Sequence, residues 1–177
     1  MKKQLKTVLL ALLGVLVVIQ FFQIDKTNSP YDPSQDIIAQ LQPPQQVAEL
    51  LKSACYDCHS YETKYPWYTY IQPVGWWIKN HIEEGSKHLN FSIWGTYTPR
   101  RKDRKLEEIV EEVKTGHMPF ASYTWVHSEA RLTYEQRQSI VNWADEARRQ
   151  LGYQPAAGEE PLSGNEGEVN HAQGEGR

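Results

Sequence analysis

Ala54-Cys55-Tyr56-Asp57-Cys58-His59 carries both cysteines of a 177-residue chain, and the order C-x-x-C-H is the attachment signature of a c-type haem. Each residue type answers a need of that chemistry. Two thiols at this spacing add across the two vinyl groups of one porphyrin, and an imidazole directly after them reaches the iron from the proximal side. Cys55 and Cys58 are therefore the expected tethers and His59 the expected proximal ligand, for one haem c (iron) per chain. A thiol–disulfide pair and a zinc site completed by another histidine remain open as rivals. Neither has its usual surroundings. Thioredoxin-like chemistry opens a helix in a βαβ unit, whereas the pattern Pro44, Val47, Leu50, Leu51, Ala54 places this motif at the close of a helix; structural zinc brings a second tight ligand pair, and the chain has no further cysteine.

Upstream, Lys2, Lys3 and Lys6 precede an apolar run from Val8 to Phe22 that only Gly14 and Gln20 interrupt. The run is not amphipathic and its basic flank is one-sided, which predicts an N-terminal transmembrane helix within 1–24, the lysines staying cytoplasmic. A cleaved signal peptide is the rival, although Phe21-Phe22-Gln23-Ile24 lacks the small residues of a cleavage site. The expected placement is the inner membrane, single-pass, with the C-terminal part in the periplasm, where bacterial c-type haem is installed. Residues 25–33 read as a polar linker, 34–152 as one haem-binding domain, and 153–177, rich in Gly, Glu, Ala, Asn and Gln, as a disordered tail.

A net charge of −3 argues against a nucleic-acid partner, because the basic cluster Arg100 to Lys105 is offset a turn later by Glu107, Glu108, Glu111 and Glu112. Ser34–Leu41 has a short helical pattern ended by Pro43-Pro44. Residues 60–73, with Tyr61, Tyr65, Trp67, Tyr68 and Tyr70 set among Pro66 and Pro73, read as a loop packed by those rings. Val74–Leu89 predicts a helix that Gly85 ends or weakens. Thr98-Pro99 starts another, with Leu106, Ile109, Val110 and Val113 on one face and Gly116 as its stop. Thr133-Tyr134-Glu135-Gln136 is a capping box that opens a last helix through Ile140, Val141, Trp143, Ala144, Ala147 and Leu151 to Gly152. Strand signals are nearly lacking, so the class is all-α.

A six-coordinate iron takes a second axial ligand, commonly Met or His. Met118 is favoured: apart from Met1 it is the only methionine, and Pro119 holds its backbone extended after the Gly116 stop. His81 is the alternative, with His88 behind it. His117 points to a different side from Met118, His127 reads as structural, and His171 falls in the tail. Trp76, Trp77, Tyr123 and Trp125 are candidate pocket-lining residues, and Arg131, Arg100 or Arg137 candidate partners for a propionate. Most of the aromatic content reads as packing rather than as an electron-hopping path.

With Cys55-Tyr56-Asp57-Cys58-His59, Tyr65-Pro66-Trp67-Tyr68, Val74-Gly75-Trp76-Trp77 and Met118-Pro119-Phe120-Ala121-Ser122-Tyr123 leading to Ala130-Arg131-Leu132-Thr133, the chain resembles the bacterial haem-binding domain family over about Ser34 to Leu151. These are small anchored mono-haem proteins related to cytochrome c. The resemblance implies a cytochrome c-like helical fold around one covalent haem, His59 as proximal ligand and Met118 as distal ligand. The expected function is one-electron transfer through Fe(III)/Fe(II) with a redox partner protein or membrane electron-transfer chain. The alternative is a haem-based ligand binder or sensor with an open or displaceable distal site. No proton-transfer dyad, nucleophile elbow or phosphate loop is present, so an enzyme is not expected.

Overall fold

A computed structural model describes residues 1–154; of the expected tail, residues 155–177, with His171, lie outside the described residues. Every regular element among those described is helical. Helix α1 is Lys2–Ile19, α2 Ile37–Leu41, α3 Gln45–Ala54, α4 Tyr56–His59, α5 Val74–His88, α6 Pro99–Thr115, α7 Ala121–Thr124 and α8 Tyr134–Leu151, with 3-10 turns at Pro33–Gln35, Trp67–Tyr70, Phe91–Thr96 and Ser128–Ala130.

The long helices start and stop where their end residues dictate. Thr98 Oγ1 accepts from Arg101 N at the head of α6, and Gly116, at φ 81°, closes it in the left-handed conformation that a side chain would strain. At the head of α8 Thr133 and Gln136 exchange side-chain and backbone bonds as a capping box. Helix α2 stops because Gln42 turns left-handed, at φ 44°, ahead of the two prolines.

Helices α6 and α8 form the main packed pair, with α3 laid against α8. Leu106, Ile109 and Val113 meet Ile140, Val141, Ala144 and Ala147, while Val47, Leu50 and Leu51 extend the same core. A forked ion pair closes its end, Arg148 giving Nε to Asp103 Oδ1 at 2.7 Å and Nη2 to Oδ2 at 3.1 Å. The most deeply buried aromatics are Trp94 and Phe91, from the 3-10 turn Phe91–Thr96. Phe91 lies against Tyr56 with ring centroids 5.3 Å apart and 6.1 Å from His59, so the core reaches directly under the cysteine motif.

Asp36 ties that end down. Its Oδ1 caps α2 by accepting from Ile38 N at 2.9 Å and also accepts the Tyr56 hydroxyl at 2.7 Å. Asp36→Ala removes a cap and strands a buried hydroxyl, a cost of about 2–3 kcal/mol when the two losses are combined. Urea unfolding followed by circular dichroism reads it as a lower midpoint at unchanged slope.

Two expectations need correction. The transmembrane helix within 1–24 is replaced by α1, and no helix among the described residues is long and apolar enough to cross a membrane. From Val8 to Ile19 a helix rises about 18 Å at ~1.5 Å per residue, against about 30 Å of hydrocarbon, and the turn before it holds three lysines. Gly85 does not end α5, which continues to His88. Of the rings of 60–73, Trp67 meets Tyr68 edge-on with centroids 5.8 Å apart, and Trp67 and Tyr70 are exposed.

Candidate functional site

The motif is held by its backbone. Cys55 ends α3 and its carbonyl accepts from Cys58 N and His59 N, so α4 is one tight turn carrying both thiols and the imidazole. Side chains from outside the turn bind its carbonyls: Ser60 Oγ donates to Tyr56 O at 2.8 Å, Thr63 Oγ1 to Asp57 O at 2.8 Å and Ser86 Oγ to Cys58 O at 3.1 Å. A four-residue helix leaves all its carbonyls without intrahelical partners. These three hydroxyls satisfy three of the four and fix the turn.

His59 is oriented by α5. Its Nδ1 lies 3.0 Å from the carbonyl oxygens of both Gly85 and Leu89. A carbonyl only accepts, so Nδ1 carries the ring proton, and Nε2 is the nitrogen left with a lone pair. Burial, opposed by those two hydrogen bonds, lowers the pKa of the imidazole. A histidine whose Nδ1–H is given to a backbone carbonyl is the arrangement in which Nε2 binds a metal.

Both cysteines are free thiols. Burial, with Cys58 nearby, pushes Cys55 up to about 12, and burial with the Asp57 charge pushes Cys58 up to about 11. Thiol exchange runs through the thiolate. These surroundings oppose it.

Gly85 is the contact the sequence reading missed. A Cβ there would sit 2.9 Å from Cys58 O, 3.3 Å from Cys58 Cβ and 3.4 Å from His59 Cε1. The residue is glycine because α5 crosses the motif at backbone distance, and its carbonyl is one of the two that hold His59. A lone helical glycine gives no sign of such a neighbour 26 positions away.

Cys58 opens into a cavity whose walls include Trp77, Ile78 and Ile82 of α5 with Phe120, Tyr123 and Val126. The surface it exposes is mostly apolar, as a porphyrin face requires. One wall is polar and ordered. Asp57 Oδ2 accepts from Tyr123 OH at 2.8 Å, Tyr123 stacks on His127 with centroids 4.1 Å apart, and His127 Nε2 meets Tyr68 OH at 2.5 Å. Burial and the Asp57 carboxylate push Tyr123 well above the usual phenol range. His127 uses its other nitrogen on Glu129 at 3.0 Å, which leaves it structural.

The remaining candidates divide. Trp77, Tyr123 and His81 line the cavity, whereas Trp76, Trp125, Arg131 and Met118 are outside its lining. His81 Nδ1 is 2.9 Å from Trp77 O, its ring lies 4.4 Å from the Trp77 ring, and Phe120 is set edge-on at 5.9 Å. Arg131 gives Nε to Thr124 O and Nη2 to Trp125 O, holding the end of α7. Arg137 Nη1 donates to Val113 O at 3.2 Å and Met118 O at 2.7 Å, pinning the segment between α6 and Pro119. Met118 is half-buried two residues before the wall residue Phe120. No cluster of three or more His, Cys, Asp or Glu suited to a metal ion exists among the described residues.

The residues present fit a covalent haem: two thiols on one turn, an imidazole with a fixed tautomer, and an apolar cavity at the second thiol. A family model described as a haem-binding domain matches residues 14–146. Neither the curated proteins nor the solved structures include a match.

Proposed function

Because the chain belongs to the haem-binding domain family, we propose that it is a membrane-attached mono-haem protein of the c type that passes single electrons on the periplasmic face of the inner membrane. The observation that carries this reading is the His59 ring, whose Nδ1–H is spent on Gly85 and Leu89 while both thiols sit on the same turn and Cys58 borders an apolar cavity. Cys55 and Cys58 would tether the porphyrin and His59 Nε2 would hold the iron. When bound, the haem supplies an Fe(III)/Fe(II) couple.

The protein's own part is orientation and exclusion of water. Ser60, Thr63 and Ser86 fix the motif turn; Trp77, Ile78, Ile82, Phe120 and Val126 keep the cavity apolar, which disfavours the more highly charged ferric state. Attachment to the membrane is assigned to α1, whose apolar side chains are exposed all round and which therefore calls for an apolar surrounding. The partner is a redox protein or a membrane electron-transfer chain.

A second reading, a ligand binder with an open distal position, is favoured by one observation: Met118 does not line the cavity beside Cys58. Potentiometric titration of the haem-loaded chain, followed optically, tests both. Electron transfer predicts a reversible one-electron couple and a low-spin ferric spectrum that turns high-spin in Met118→Ala. A high-spin ferric spectrum in the native chain, with carbon monoxide binding to the ferrous form, would replace it with the ligand-binding reading.

A further inference from the structure

The end of α1 does not dangle from the domain. Gln20 Nε2 donates to Gln72 O at 3.0 Å while Gln72 N donates back to Gln20 Oε1 at 2.9 Å, so one side-chain amide pairs with a backbone amide as a neighbouring strand would. Trp76 Nε1 donates to Phe22 O at 2.8 Å and Gln23 Nε2 to Tyr70 O at 3.2 Å. Lys26 Nζ lies 3.9 Å over the Tyr70 ring. Further along, Asn28 Nδ2 donates to Thr63 O at 3.0 Å. Residues 20–28, from the end of the expected anchor into the expected linker, are thus bonded along the turn Trp67–Tyr70, the head of α5 and the residues just after the haem motif.

Around this clamp the surface is apolar and aromatic. Phe21 and Phe22 are 83% and 64% exposed, and Tyr70, Ile71, Val74 and Trp76 are all exposed too. These six belong to one continuous face, because the clamp joins 20–23 to 70–76. The face has an apolar body with polar edges and a cation at its rim, which is the chemistry of the headgroup boundary of a bilayer. It is also continuous with α1, whose buried residues number none.

We propose that this face is a lipid seat: the domain rests on the phospholipid surface through Phe21, Phe22, Tyr70, Ile71, Val74 and Trp76, in one orientation set by the Gln20–Gln72 clamp. The seat rests on the membrane-attached reading of α1. It carries a geometric consequence, because the cavity residues Trp77, Ile78 and His81 are on the same helix as Trp76, so the haem cavity is held at a fixed side of the domain relative to the bilayer.

Hydroxyl-radical footprinting of the full haem-loaded chain on phosphatidylcholine–phosphatidylglycerol vesicles, read by mass spectrometry after flotation, tests this. Trp125, 75% exposed, is the internal reference. The expected result is that the chain floats and that Phe22, Tyr70 and Trp76 label several-fold more slowly than Trp125. In Ile71→Ser/Val74→Ser the chain still floats through α1, while Tyr70 and Trp76 regain several-fold faster labelling. A chain that floats with Tyr70 and Trp76 labelled as fast as Trp125, with Trp125 equally protected, or with protection unmoved by the paired substitution, overturns the seat and leaves the attachment standing. A chain that does not float overturns the attachment itself.

Discussion

Cys55→Ala/Cys58→Ala is expected to leave the chain without covalent haem. Each thiol would form one thioether, its S–H adding across one vinyl group, and no other cysteine exists in the chain to take its place. In cells carrying the c-type maturation machinery, the native chain should give a c-type alkaline pyridine spectrum that survives acid-acetone extraction, and the double variant should give none. Cys55→Ala alone, keeping Cys58, should shift the α-band to the red, since one vinyl group stays conjugated. The loss also costs stability. The apolar cavity wall of Trp77, Ile78, Ile82 and Phe120 would lose the porphyrin that covers it, and apolar area left to water is stability lost. A c-type spectrum in the double variant, or a native chain that matures without haem, would overturn the assignment.

Gly85→Val is the second large effect, and it reaches the site from outside the motif. Its first side-chain carbon would stand 2.9 Å from Cys58 O, which is backbone and cannot rotate away. Helix α5 must then retreat from α4, and the retreat lengthens the bond from His59 Nδ1 to Gly85 O, now 3.0 Å. Overpacking of this kind costs about 1–3 kcal/mol, and the two extra methyl groups place valine at the upper end. Gly85→Ala gains up to about 1 kcal/mol of helix propensity against the same first contact, so its net loss is smaller. Haem content per chain and thermal midpoint should both fall in the order native, Ala, Val. Equal loading of all three would show that α5 does not set the histidine.

These two predictions differ in how much of their basis the sequence held. The first needs only the pentapeptide, because thiol spacing and the adjacent imidazole are covalent facts of the chain. Helix ends are similarly local: Thr98-Pro99 with Gly116, and Thr133 with Gln136 and Gly152, are where α6 and α8 start and stop, since capping groups bind backbone within one turn. The buried faces Leu106, Ile109, Val113 and Ile140, Val141, Ala144 also follow the helical period. Gly85 was misread for the opposite reason. Locally a glycine weakens a helix, but here the close approach of α4 decides the residue, and that approach joins positions far apart in the chain.

The pocket divides along the same line. From sequence, Trp76 and Trp77 are equivalent; in the fold, adjacent positions on a helix point about 100° apart, so Trp77 lines the cavity and Trp76 turns to Phe22. Likewise Asp57 is an unremarked residue between the cysteines until Tyr123 Oη is found 2.8 Å from its carboxylate. The apolar run at the start of the chain was legible as a helix, while its length was set by hydrogen bonding: side-chain amides of Gln20 and Gln23 pair with Gln72 and Tyr70 where a longer helix would have kept rising. The sequence by itself determined what depends on neighbours within a turn, namely the haem motif, the all-helical class and the caps of the long helices. Only the tertiary structure decided the tautomer of His59, the wall of the cavity and the docking of α1. Those depend on which carbonyl, ring or amide arrives from a distant segment, and no local spacing encodes that arrival.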